Sequence, residues 1–186
     1  MKLSVFPRAL GKKSEINKIR REGGVPAVLY GRDQSMKSLF VKGDELQAIL
    51  RKIKSGLLAT TFFELHDGEN VVKVLVKEIQ YHPVTYAIVH LDFLLVDDKA
   101  LVAVNVPIQV TGVAECAGVK LGGFMRQVIR SLKVECLPKD LPQEFTLDVT
   151  QLGLAQSMRL SEIALPAGIK PLAKMNEVAV VIAKKA

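Results

Sequence analysis

The sequence predicts a mostly β protein: a small N-terminal β-barrel with two helices over residues 1–96, followed by a β-rich C-terminal domain over 97–186. Three observations carry this expectation. Of the 186 residues 49% are apolar, yet there is no Trp and only seven Phe and three Tyr, so the core is aliphatic. Val, Ile and Leu recur in short runs that alternate with polar residues, the pattern of half-buried strands. Pro and Gly punctuate these runs throughout, leaving two stretches with helical spacing.

Residues 2–8 read as a first strand, closed by Pro7 and Gly11. Ser14 is placed to cap a helix over 15–22, which Gly23-Gly24 stops. Residues 25–30 and 39–42 are extended. Asp44 is placed to cap a second helix over 45–54, with Leu46, Ile49, Leu50 and Ile53 on one face and Gly56 at its end. Residues 57–65 and 69–79 then form a hairpin around His66-Asp67-Gly68, and 84–95 is a further strand after Pro83. About six strands and two helices suit a small closed or nearly closed barrel.

The polar run Asp97-Asp98-Lys99 marks the domain boundary. Beyond it, 101–110 alternates strongly, a glycine-rich stretch spans 112–123, and 129–136, 144–149, 157–163 and 178–183 are short extended pieces separated by prolines.

Charge narrows the function. Residues 1–54 carry thirteen Lys plus Arg against five Asp plus Glu, whereas the remaining 132 carry thirteen against fourteen. The whole basic excess of the +7 chain therefore lies in its first third, which favours an anionic partner there. Two cysteines, Cys116 and Cys136, make neither a disulfide framework nor a zinc pattern. The N-terminus has no apolar leader, and no run of about 18 apolar residues exists to span a bilayer. The expectation is a cytoplasmic protein with no membrane partner and no cofactor.

Three groups of residues could carry function. The first is the basic arm and helix: Arg8, Lys12, Lys13, Lys18, Arg20 and Arg21, offset only by Glu15 and Glu22. Ile16 and Ile19 can dock the helix, turning the cations outward to follow a phosphate backbone. The second is Gln80, His82, His90 and Asp92. Residues two apart on a strand share a face, so His90 and Asp92 point the same way. A carboxylate on a basic surface is ill-suited to phosphate but suited to accepting from a 2′-hydroxyl or a base amino group. The third is Tyr30, whose ring can pack on a ribose or base. Plainer readings are a solvated helix face, a surface hydrogen-bonded pair and a half-buried barrel tyrosine. His-x-Asp with His66 or His82 could also ligate iron, but short pairs of this kind are common by chance. No GxSxG, Walker or dinucleotide motif is present, so an enzyme is not expected.

Arg8, Gly11-Lys12-Lys13, Lys18-Ile19-Arg20-Arg21-Glu22-Gly23, Val25-Pro26-Ala27-Val28-Leu29-Tyr30-Gly31, Glu78-Ile79-Gln80-Tyr81-His82-Pro83 and Val89-His90-Leu91-Asp92-Phe93 resemble the bacterial ribosomal proteins that bind 5S rRNA. The second half resembles the long, two-domain form of that family, also called general stress protein CTC, through Gly118-Val119-Lys120-Leu121-Gly122-Gly123, Pro138-Lys139-Asp140-Leu141-Pro142 and Leu165-Pro166-Ala167-Gly168-Ile169. The resemblance implies a six-stranded barrel that holds the loop E region of 5S rRNA on a minor-groove face, within the large ribosomal subunit. It carries contacts over to Arg8, Arg20, Tyr30, His90 and Asp92, with Gln80 and nearby lysines as helpers; no DNA partner is expected. The alternative function is a stress-related protein-interaction adaptor, with the second domain as the working half and RNA as its tether. Two positions depart from the family pattern: Asn17 in the helix, where relatives often carry a basic residue, and Leu154-Ala155-Gln156-Ser157 after Asp148-Val149-Thr150.

Overall fold

The computed structural model describes residues 1–8, 13–31, 36–54, 56–68 and 70–184. They fall into two compact units, Met1–Ala100 and Leu101–Ala186.

In the first unit six strands close into a barrel. They are β1 (Lys2–Pro7), β2 (Gly24–Tyr30), β3 (Lys37–Lys42), β4 (Phe62–Asp67), β5 (Asn70–Tyr81) and β6 (Ile88–Leu95). Around the barrel the order is β1-β3-β2-β6-β5-β4, with β1–β4 and β2–β6 parallel and the other pairs antiparallel. Closure removes the unpaired strand edges that would otherwise seek partners. The inward residues are the aliphatic alternation seen in the sequence, among them Leu3, Ala27, Val41, Leu65, Val74 and Leu91, with Phe63 and Phe93 filling the middle. Burying each of those two rings stabilises the fold by about 1.5–3 kcal/mol. The expected barrel with two helices is therefore borne out.

Helix α1 (Lys13–Arg21) begins two residues before the expected start, so Ser14 lies inside its first turn and is not its cap. It sits against β2, and its seat follows from sequence. Phe6 and Phe40 pair across β1 and β3 with ring centroids 5.2 Å apart. Ile19 packs toward Phe40 over Gly24, where any Cβ would come within 2.7 Å of the Ile19 methyl. Gly24 is therefore required by close approach rather than by its backbone angles.

Helix α2 (Gly43–Leu50) also starts earlier than expected. Lys42 occupies the cap position without a side-chain hydrogen bond, and Asp44 lies in the first turn, where its charge complements the helix dipole. The early start is set by the Gly43 amide, which donates to the Gly23 carbonyl at 3.0 Å. Leu46 is buried in the barrel core, with Ile49, Leu50 and Ile53 packed against it. The helix ends at Leu50, and Gly56, at φ 92°, instead opens a 3-10 turn over Leu57–Thr60. The strand expected from 57 thus begins only at Phe62. Likewise 83–85 form a turn, 86–87 lie outside any strand, and β6 starts at Ile88.

The second unit has a four-stranded sheet and a three-stranded sheet. The first runs β10 (Phe145–Asp148), β7 (Val102–Thr111), β9 (Ser131–Cys136), β12 (Lys170–Pro171); the second runs β11 (Ser157–Arg159), β13 (Val178–Lys184), β8 (Gly123–Gln127). A short helix, α3 (Ala117–Lys120), lies between β7 and β8. Val106, Leu132, Val134, Leu147, Leu160 and Ile182 belong to one aliphatic core. Strand β8 was not expected, because its glycine-rich approach reads as loop. The β-rich character of this half is as expected.

Candidate RNA-binding face

Three adjacent strands, β2, β6 and β5, build the face. Leu91 and Phe93 point into the core, so the alternation of β6 turns His90 and Asp92 outward. Antiparallel register sets Gln80 opposite His90 and Glu78 opposite Asp92, while β2 pairs Val28 with Asp92 and brings in Tyr30 two residues further along. An irregularity between Val76 and Glu78 re-aims β5 so that this register holds. Tyr30, Gln80, His90 and Asp92 are thus brought together on one outer surface. Sequence reading missed Glu78. Its signal was its place two residues before Gln80 on one strand.

The Nδ1 of His90 lies 2.8 Å from Asp92 Oδ1, with the two side chains 21% and 28% exposed. The contact does not meet hydrogen-bond geometry, and it is a charge pair only when the imidazole is protonated. The Tyr30 hydroxyl is held above the usual tyrosine range, first by burial and then by the Asp92 and Glu78 carboxylates. It therefore stays an O–H donor at neutral pH. The face offers a hydroxyl donor, two carboxylates, an imidazole and an amide, a mixed set suited to reading hydroxyls and base edges.

Cations flank it. Arg20 Nη2 donates to the Val89 carbonyl on β6 at 3.2 Å, fixing its guanidinium beside the strand that carries His90. Arg8 Nε donates to the Leu39 carbonyl at 3.1 Å, and its side chain lines a concavity with Ile19 and Phe40 at the foot of α1. Lys13, Lys18 and Arg21 lie exposed on α1. Lys18 reaches Glu22 at 3.9 Å and Arg21 Nε reaches the Asn17 carbonyl at 3.4 Å, both on the helix surface. Lys12 falls outside the described residues.

His82 stands apart, at the tip of the β5–β6 hairpin. Its Nδ1 accepts from the amides of Val84 and Thr85 at 3.3 and 3.2 Å, so the proton of the neutral ring resides on Nε2. This nitrogen builds the turn, and only the opposite edge of the ring is available to a partner. Neither His66 nor His82 joins His90 and Asp92: among the described residues no group of three or more His, Cys, Asp or Glu comes together to hold a metal.

Comparison with known proteins gives the same relationship for both units. Residues 3–93 match the ribosomal L25p family, and residues 101–186 match the C-terminal domain of ribosomal protein TL5. Curated relatives include the large ribosomal subunit protein bL25 of Chlamydia muridarum, 46% identical over 186 residues, and that of Chlamydia trachomatis serovar L2, 45% identical over 185. The bL25 of Chlamydia abortus is 42% identical over 186 residues, and all three alignments span the whole of both chains. The expectation that the chain is not an enzyme is borne out by this kinship. The chain belongs to the ribosomal L25p family, in the two-domain form whose second half is the TL5 C-terminal domain.

Proposed function

We propose that this protein is a constituent of the large ribosomal subunit in the cytoplasm and that its N-terminal unit binds 5S rRNA, on the minor-groove face of the loop E region. The observation that carries the reading is the juxtaposition of Tyr30, Gln80, His90 and Asp92 on one barrel surface with Arg20 fixed beside it. The minor groove of an RNA helix is wide and shallow and displays 2′-hydroxyls and base edges, so a gently curved sheet face can reach them. Asp92 accepts from a 2′-hydroxyl or a guanine amino group, and Tyr30 donates.

Glu78 lies directly across from Asp92, and facing carboxylates repel. A partner rich in donors relieves that repulsion, whereas a phosphate would worsen it. The cations of α1 and Arg8 take the phosphates on either side, which positions the duplex without reading its sequence. The protein's work is architectural: it neutralises backbone charge and selects one RNA helix shape.

A gel shift with the full chain tests this, with 5S rRNA against transfer RNA at equal salt. The reading requires tighter binding to 5S rRNA. Equal affinity for both would leave only nonspecific charge attraction and would overturn it.

A further inference from the structure

Beside the candidate RNA face, within the first unit, lies a concavity of ≈ 420 Å³ between α1, α2 and the tip of the β5–β6 hairpin. Tyr81, Tyr86 and Ile88 line it together with Gly23, Gly24 and Gly43, and Arg20 and His82 line it too. Among the described residues no carboxylate lines it, although both helices beside it carry acidic residues. We infer that this pocket receives an unpaired nucleobase of the bound RNA, stacked on Tyr86. The inference rests on the RNA-binding reading and adds a second, separable mode of contact to it.

The hairpin tip carries the argument. Tyr86 adopts φ 54°, in the left-handed region. A bulky residue there is an outlier, and such strain persists only where the surroundings over-determine it. The surroundings here do. The Tyr86 amide donates to the His82 carbonyl at 2.9 Å, and the His82 amide donates to the Ala87 carbonyl at 2.8 Å. His82 Nδ1 collects two further amides of the same turn.

Yet the strain gains no burial: Tyr86 is 76% exposed and Tyr81 53%. A rigid turn that presents an exposed ring at a fixed angle is a preorganised stacking platform. Aromatic stacking of splayed bases is a principal means of recognising unpaired RNA, and it tolerates any base because every base has a π-face.

Arg20 supplies the charge complement. Its guanidinium is anchored to the Val89 carbonyl, next to His90, and it lines the pocket too. A nucleotide whose phosphate meets Arg20 would have its base directed toward the tyrosines, while neighbouring paired nucleotides lie on the face that carries Asp92. Among the lining glycines Gly23 has open space beside its Cα, so a flat ring can approach the backbone there. A base-paired duplex alone leaves this pocket empty. The RNA it fits carries a bulged or looped-out residue next to the helix.

The test uses the full chain and 5S rRNA. Tyr86→Gly removes the ring and relaxes the backbone, since glycine accepts positive φ without strain, so folding is not at risk. Tyr86→Phe keeps the stacking surface. Tyr86→Gly is expected to weaken 5S rRNA binding about tenfold, with Tyr86→Phe close to wild type and the salt dependence unchanged in both. In the wild-type complex one unpaired base is expected to be shielded from base-modifying reagents, and Tyr86→Gly is expected to expose it. Wild-type affinity and an unchanged footprint for Tyr86→Gly would overturn the pocket assignment alone. Failure of the wild-type chain to prefer 5S rRNA would overturn the underlying reading as well, so the two failures are told apart.

Discussion

Asp92 Oδ1 and His90 Nδ1 lie 2.8 Å apart on the outer face of β6. An imidazole two residues away on the same strand lies against one oxygen of the carboxylate. Its lone pairs stay available to a donor on an RNA groove. The arrangement also couples Asp92 to Tyr30, whose hydroxyl it helps to keep protonated.

That coupling is measurable in the free protein. Asp92→Asn removes one of the two carboxylates that raise the Tyr30 pKa, so the tyrosine is expected to titrate at lower pH than in wild type. It is expected to remain above the ordinary value of 10.0, because burial is the larger cause and is unchanged. Ultraviolet titration of tyrosinate, with Tyr30→Phe to assign the signal, checks this. An unchanged or raised value would show that the two side chains do not interact.

Gly24 is predicted to matter for RNA binding through the seat it gives α1. A Cβ there would lie 2.7 Å from the Ile19 methyl and 3.2 Å from the Ile19 carbonyl oxygen. Gly24→Ala should therefore push α1 off the barrel and misplace Arg20. A stability loss of about 1–3 kcal/mol and weaker 5S rRNA binding are expected together, by thermal melting and gel shift. Full binding by a correctly folded Gly24→Ala chain would show that the position of α1 is not critical.

The basic helix was legible because its amphipathic spacing and charge are local properties. The barrel was legible because alternation with glycine and proline punctuation is a strong β signal. The helix starts were not. Gly43 begins α2 through a hydrogen bond to the Gly23 carbonyl, a tertiary contact that overrode the local preference of Asp44 for a cap position. The same limit applies to the site. His90 and Asp92 share a face by strand periodicity alone, but Glu78 enters only through the β5–β6 register and its irregularity. His82 shared a motif with Gln80, yet the hairpin turn uses its Nδ1 and carries it away from the face.

Arg8 and Arg20 each donate one N–H to a backbone carbonyl, and on the proposed reading their remaining donors meet phosphate. With about five phosphate contacts, log affinity for 5S rRNA should fall with log salt at a slope of about −3 to −5. Arg8→Ala and Arg20→Ala should each make the slope shallower by about one unit. Unchanged slopes in both variants would remove them from the set of phosphate contacts.

The departure at Leu154-Ala155-Gln156 forms an ordered turn, at some cost. Ala155 sits at φ 60°, and the Gly153 amide donates to Gln156 Oε1 at 2.8 Å. A left-handed alanine is strained by about 1 kcal/mol, so Ala155→Gly should stabilise the chain by about 0.5–1 kcal/mol without altering RNA binding. Denaturant titration checks the first part. A loss of stability would mean that the alanine methyl makes a packing contact worth more than the strain.

The account stands or falls most directly on Asp92. Affinities of the folded Asp92→Ala and Asp92→Asn chains for 5S rRNA and for transfer RNA are to be measured side by side. A hydrogen bond to a charged group contributes about 1.5–3 kcal/mol, so Asp92→Ala should lose about tenfold to a hundredfold in 5S rRNA affinity. Asp92→Asn, which keeps one acceptor, should lose less, and weak transfer-RNA binding should be unaffected by either. A carboxylate without an RNA partner would only repel phosphate, and its removal would then strengthen binding to both RNAs. Equal or tighter 5S rRNA binding by Asp92→Ala contradicts the account.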